Sequence, residues 1–210
     1  MACTVPFPMC QSYKMPRPYT PRQERNIYLF CCEDLKSSRY YLEGLGRELN
    51  INIKTCTSNN RTPARLNKRL KEEVRKKGKE NVKKSYILFD RDDMSMESFK
   101  INAEKYASAV SSPCYEYWLL LHFFKTNRSF DSSQESSNFL ISKIYNQTGL
   151  NLSLKQLKQQ PNIFQIVDGR DGLKQAIKNA KEFNFNLGDD PYTNMHTIIE
   201  DILNKENISI

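Results

Sequence analysis

The sequence predicts an α/β fold, with a small parallel sheet between helices and a C-terminal helical cap. Three observations carry this. Ile27-Tyr-Leu-Phe-Cys-Cys32 and Ser85-Tyr-Ile-Leu-Phe89 are almost continuously apolar, the pattern of strands covered on both faces. Segments of helical period alternate with such strands as far as about residue 125. Beyond that point only helical patterning follows.

Taken in order, residues 1–25 hold five of the nine prolines (Pro6, Pro8, Pro16, Pro18, Pro21) together with Lys14, Arg17, Arg22 and Arg25. Proline density of this kind opposes regular structure, so an extended basic arm is expected. After the first strand, residues 38–49 read as a helix with Tyr41, Leu42, Leu45 and Leu49 on one face, and 51–55 as a second strand. Thr62-Pro63 is a helix start, an N-cap residue followed by proline. Leu66, Leu70 and Val74 repeat at helical spacing, and Gly78 ends the helix. A strand at 85–89, a helix near 95–104 and a short strand near 106–111 follow.

Ser112-Pro113 is expected to open a helix running to about Phe124, its face crowded with Tyr115, Trp118, Leu119 and Phe123. Residues 127–138 are serine-rich and expected to be a loop. Helices are predicted at 139–148, 154–160, 172–183 and 193–204. The organisation expected is an arm (1–25), a core (26–125) and a helical part packed on it (126–210).

Composition narrows the function. With 39% hydrophobic and 27% charged residues among 210, disorder throughout is excluded. No run approaches the roughly 18 apolar residues of a membrane span, and the N-terminus has no basic-then-apolar leader, so a cytoplasmic protein without membrane association is expected. The six cysteines include no C-x-x-C pair, which argues against structural zinc; a disulfide framework is not expected either, and Cys31, Cys32 and Cys114 read as small core residues. No G-x-x-x-x-G-K-[ST] loop exists, so intrinsic NTPase activity is not expected.

The net charge of +8 is concentrated, since residues 61–84 hold eleven basic and three acidic side chains. Arg61, Arg65, Lys68, Arg69, Arg75, Lys76 and Lys77 are the candidates for binding a nucleic-acid backbone. The competing reading is a solvated helix face.

Both apolar strands end in acid, Glu33-Asp34 and Asp90-Arg-Asp92-Asp93, where open α/β sheets bind ligands. In an extended D-x-D segment Asp90 and Asp92 project to one side, and two adjacent carboxylates repel unless a cation joins them. Mg²⁺ suits such a pair, completing its shell with water and phosphate oxygens. The competing reading is a turn or helix start, but a strand-terminal Glu33 favours the metal. His122 is a candidate acid/base, against a core histidine packed on Trp118. Glu116 is a candidate for supporting the ligands, against a structural role, and Asp93 joins it. His196 reads as structural.

Several segments resemble the RloB-like family, proteins with a Toprim-type core found at abortive-infection and restriction-associated loci. Cys32-Glu-Asp-Leu-Lys-Ser-Ser-Arg-Tyr-Tyr-Leu-Glu-Gly-Leu45 is similar to its C-E-G-x-x-T-E-x-x-Y-F-x-G-L segment, and Phe89-Asp-Arg-Asp-Asp93 to its F-D-x-D-D strand end. Ser112-Pro-Cys-Tyr-Glu-Tyr-Trp-Leu-Leu-Leu-His122 closely resembles S-N-P-C-F-E-x-W-L-L-L-H, the most specific of the matches. Arg17-Pro-Tyr-Thr-Pro-Arg22 and Pro191-Tyr-Thr-Asn-Met-His196 are similar to its beginning and end.

The resemblance implies a Toprim fold and phosphodiester cleavage dependent on Mg²⁺ or Mn²⁺, with Glu33 as ligand or acid/base and Asp90 and Asp92 holding the metal. It implies an anti-phage effector acting on RNA, with DNA the next choice, and an ATPase partner. The sequence departs from the family at two places: Asp34 replaces the glycine after the Glu, and Ser38 the second Glu. Those departures keep two other readings open, an inactive nucleic-acid-binding module and an interaction subunit of the ATPase complex.

Overall fold

The most apolar strand lies between two parallel neighbours, and its alternation explains both layers around it. A computed structural model describes residues 26–34 and 36–210; the expected arm at 1–25 lies outside the described residues. Strand β1 (Ile27–Cys32) is buried at every position. Parallel strands β2 (Ile53–Cys56) and β3 (Val82–Asp90) flank it, β4 (Ser108–Ser112) runs parallel to β3, and the two-residue β5 (Tyr192–Thr193) closes the edge antiparallel, giving the order β2-β1-β3-β4-β5.

Side chains of β1 alternate between two cores, as the period-two geometry of a strand demands. Ile27, Leu29 and Cys31 join Leu66 and Leu70 of helix α2 (Pro63–Lys77) and Phe99 of α3 (Met96–Lys105) on one face. Tyr28, Phe30 and Cys32 face α1 (Ser37–Leu49) and α4 (Glu116–Leu120) on the other. A strand covered on both sides needs no polar positions, which is why it read as a continuous apolar run.

The C-terminal helices are α5 (Ser133–Thr148), α6 (Leu154–Lys158), α7 (Ile163–Ile166), α8 (Gly169–Phe183) and α9 (Met195–Lys205). They share the second core: Leu140, Leu157, Phe164, Leu173 and Ile199 belong to the cluster that holds Tyr41 and Trp118. Gly44 lets α1 approach α7 closely, because a Cβ there would lie 2.6 Å from the Phe164 Cβ.

Three expectations are corrected. Pro113 does not begin a helix: its peptide bond is cis, its carbonyl accepts a hydrogen bond from the Asp92 N–H at 3.0 Å, and α4 spans only Glu116–Leu120. The serine-rich stretch is not all loop. Ser132 caps α5 by accepting the Glu135 N–H at 3.2 Å, so the helix starts at Ser133 instead of near Phe139. Helix α7 and strand β5 carry too few residues for a period to show; Thr193, expected to open the last helix, belongs to β5 instead, and α9 begins at Met195.

Candidate functional site

The two acid strand ends lie side by side because β1 and β3 are paired and parallel, Cys32 opposite Leu88. Glu33 follows β1 and its Oε2 accepts the Asp90 backbone N–H at 3.1 Å. Beyond the strand ends opens a cleft of about 340 Å³ lined by Glu33, Asp90, Asp92 and Glu116. Lys36, Arg61 and Lys158 line it too, with Ser133 and Ser137 of α5. The structure therefore brings together Glu33, Asp90, Asp92, Glu116 and Arg61 of the residues singled out above.

Asp90 is partly exposed as a residue, yet its Oδ1 is fully buried and has no hydrogen-bond partner. Burial raises its pKa well above the ordinary 3.8, and the charges of Glu116, Asp92 and Glu33 push the same way, against one backbone hydrogen bond from Tyr115. Glu33 is raised above its ordinary 4.5, first by burial and then by Asp92, while the Asp90 N–H and Arg61 pull it down. A cleft that packs carboxylates against each other and leaves one oxygen unpaired is destabilised until a cation or protons arrive.

Asp92 does not extend the strand. Its φ is +40°, a left-handed conformation that Asp tolerates better than most residues. The turn is held from both sides. Arg91 donates from Nε to Ser112 Oγ and from its terminal nitrogen to Asp190 Oδ2, both at 2.8 Å, and Ser112 Oγ donates to Asp190 Oδ1 at 2.9 Å. Asp92 Oδ1 accepts from Ser133 Oγ at 2.7 Å. Asp92→Ala should therefore cost about 1–2 kcal/mol of stability from the left-handed backbone alone. Asp92→Asn, which keeps that tolerance, should cost little, so equal losses for both in denaturant melts would remove the backbone argument.

Glu116 is only 2% exposed and is not left alone: its Oε1 accepts from Ser37 Oγ and pairs with Lys158 Nζ, each at 3.2 Å. The Lys158 ammonium is pulled down by burial but raised on balance by Glu116. Lys158 and Ser133 went unnoticed in the sequence, where nothing ties the one-turn helix α6 or the start of α5 to the strand ends. The departures at Asp34 and Ser38 are both used locally. Asp34 accepts from Lys36 N–H, Ser37 N–H and Ser37 Oγ, each at 3.0 Å, and Ser38 Oγ donates to the Asp34 carbonyl at 2.9 Å, so the pair shapes the entry into α1.

Asp93 is exposed and does not line the cleft. His122 does not reach it either. Its Nδ1 faces the Trp118 carbonyl at 3.1 Å, which can only accept, so Nε2 accepts from the Tyr41 hydroxyl at 2.9 Å. Burial lowers its pKa to about 3. The expected acid/base is thus a neutral core histidine wedged against Tyr41 and Trp118. Tyr41→Phe, which leaves Nε2 buried and unpaired, should cost about 1–3 kcal/mol. Because the folded His122 value is depressed, stability it governs falls as pH drops from the ordinary 6.5 toward 3. Acid melts of His122→Asn should lose that dependence.

Among the described residues no three His, Cys, Asp or Glu side chains gather as a ready metal shell. The donor set instead fits an ion held by one or two carboxylates with water around it, as Mg²⁺ prefers, with the unpaired Asp90 Oδ1 as the free donor. The basic helix is mostly solvent-facing. Arg69 pairs with Glu73 at 2.9 Å and Lys76 with Glu73 at 3.0 Å, while Arg65, Lys68 and Arg75 are exposed; Lys77 is half-buried.

The sequence model of a family described as RloB-like protein matches residues 28–202. No curated protein matches. No solved structure matches. Among the described residues, no helix is long and apolar enough to cross a membrane.

Proposed function

Because the chain belongs to the RloB-like protein family, we propose that it is a Toprim-type, metal-dependent nuclease of a phage-defence system, cleaving RNA by preference and DNA next. One observation carries the reading: the buried, unpaired Asp90 Oδ1 at the floor of a cleft whose wall is acidic and whose rim carries Lys36, Arg61 and Lys158. Acid alone would repel a phosphodiester, and base alone would need no buried carboxylates. The combination suits a phosphate bridged to carboxylates through a cation.

Asp90, with Glu33 or Asp92, would hold Mg²⁺ or Mn²⁺, and the bound ion would supply positive charge to the phosphoryl oxygens and to an attacking water. The chain's own groups do the rest. Ser133 fixes the Asp92 carboxylate, the Asp90 N–H fixes Glu33, and Glu116 holds the Lys158 ammonium at the cleft. Arg61 and Lys36, on the rim, would hold the flanking phosphates. An ATPase partner that restrains or triggers the cleavage is part of the proposal, on the family resemblance.

The test is cleavage of labelled RNA and DNA with Mg²⁺, with Mn²⁺ and with EDTA. Metal-dependent scission, faster on RNA, is expected. Salt-sensitive binding without scission of either polymer under any metal would replace the nuclease with a binding module.

A further inference from the structure

The strand register places two thiols side by side outside the acid cleft. Cys31 of β1 is the direct partner of Cys56, the last residue of β2, and both belong to the sheet face covered by α2. Neighbouring strands run about 4.7–4.9 Å apart, inside the roughly 4.4–6.8 Å between Cα atoms that a disulfide spans. Cys31 is fully buried, whereas Cys56 is partly open to solvent. Cys32 faces the opposite core and is out of reach of the pair.

Cys56 is the more open of the two sulfurs, so a reagent from solvent meets it first, and Cys31 lies buried beside it. A partly open thiol with a second thiol beside it is the arrangement of a reactive pair.

We propose that Cys31 and Cys56 form a two-thiol modification site at which a hydroperoxide is reduced while the thiols join as a disulfide. The Cys56 thiolate attacks the peroxide, an S–O bond forms as O–O breaks, and the departing alkoxide or hydroxide takes a proton and leaves as alcohol or water. Cys56 is then a sulfenic acid. Cys31 attacks that sulfur, S–S forms as S–O breaks, and the hydroxide leaves as water with the Cys31 proton. Two electrons pass from the thiol pair to the peroxide. The new bond fastens β2 to β1 two residues before Glu33.

The experiment treats the full chain with a small excess of hydrogen peroxide, blocks remaining thiols by alkylation in denaturant, and digests it with trypsin without reductant. Mass spectrometry should find peptides 26–36 and 55–61 joined, with fragmentation placing the bond on Cys31. In Cys31→Ser, dimedone should trap a sulfenic acid at Cys56. In Cys56→Ser, Cys31 should remain fully alkylatable. Oxidation confined to Cys3, Cys10, Cys32 or Cys114, or a Cys31→Ser protein with no dimedone at Cys56, overturns the proposal. The wild-type map reads the result even if a variant folds poorly, and none of these outcomes depends on nuclease activity.

Discussion

Asp90→Asn should cleave nucleic acid on the order of 10³-fold more slowly than the wild type while folding more stably. The rate loss follows from removing a buried carboxylate oxygen that, among the described residues, has no protein partner and under the proposed mechanism is a principal metal donor. A metal supplies several kcal/mol of charge stabilisation in such a displacement, and each 1.4 kcal/mol is a tenfold in rate, about 10³ in all. The stability gain comes from the same atom. The neutral amide leaves that position as unpaired as before, but it removes a buried charge facing Glu116, Asp92 and Glu33, and an unpaired buried charge costs more than an unpaired neutral polar group. Single-turnover cleavage at saturating nucleic acid and denaturant melts measure the two halves. A variant that cleaves at the unmodified rate removes Asp90 from the site.

The pH dependence gives an independent reading of the same cleft. Asp90 and Glu33 are both raised in the folded protein, from 3.8 and 4.5 respectively. In the window above those values the folded state binds more protons than the unfolded one, so these groups make stability fall as pH rises until their folded values are passed. The depressed His122 works in the opposite sense below 6.5. Its contribution is common to the wild type and Asp90→Asn, so it cancels in their difference, which should widen from about pH 4 upward. Mg²⁺ at a hundred times its Kd should restore about 2.7 kcal/mol to the wild type and nothing to the variant. A stability difference independent of pH would mean that Asp90 titrates normally and the cleft is not strained by charge.

The sequence showed the strands that build the cleft because both are buried on two faces, and a doubly covered strand has no alternation to misread. Glu33 falls beside Asp90 for a related reason: parallel strands of one α/β sheet end at the same edge, and β1 and β3 are neighbours there although β2 lies between them in the chain. The helix after β4 was misplaced because a Ser-Pro pair has two uses. A hydroxyl residue followed by proline starts α2 as Thr62-Pro63 but is, at Ser112-Pro113, part of the turn that receives the Asp92 N–H. His122 was ambiguous from spacing alone, since a helical i, i+4 relation to Trp118 fits a core histidine and an acid/base equally well, and only the Tyr41 hydroxyl decides. Lys158 could not be found, because its partner Glu116 lies 42 positions away on an element with which it has no local relation.

The charges around the cleft have complementary tasks. Glu33 and Asp90 sit at strand ends, where backbone pairing fixes them to the sheet, and the cations sit on elements that approach from outside: Arg61 ahead of α2, Lys36 ahead of α1 and Lys158 on α6. A cation on a rigid sheet edge beside Asp90 would quench the site by pairing with it. Glu116 occupies Lys158 and keeps that ammonium at the rim while leaving Asp90 Oδ1 without a partner.

The triple variant Arg65→Gln, Lys68→Gln, Arg75→Gln should bind duplex nucleic acid with a shallower salt dependence and leave the metal response untouched. Helix α2 begins two residues after Arg61, which lines the cleft, and its 15 residues extend about 22 Å, so its outer face continues from the rim. The three chosen side chains are exposed, and among the described residues none of them makes an ion pair, unlike Arg69 and Lys76 with Glu73. Removing them therefore disturbs no internal charge pair, while Leu66 and Leu70 hold the helix on the sheet. If each contacts a phosphate, the slope of log affinity against log salt should fall by about 2.7 on duplex and about 2.1 on a single strand. Over a fourfold rise in salt, from 50 to 200 mM, three such duplex contacts account for about a fortyfold change in affinity that the variant would no longer show. Filter binding across that range, with Mg²⁺-dependent stabilisation as the control for an intact cleft, measures both. An unchanged slope would assign this face to solvent or to a protein partner, and nucleic acid would then have to be held by the rim cations Lys36, Arg61 and Lys158 alone.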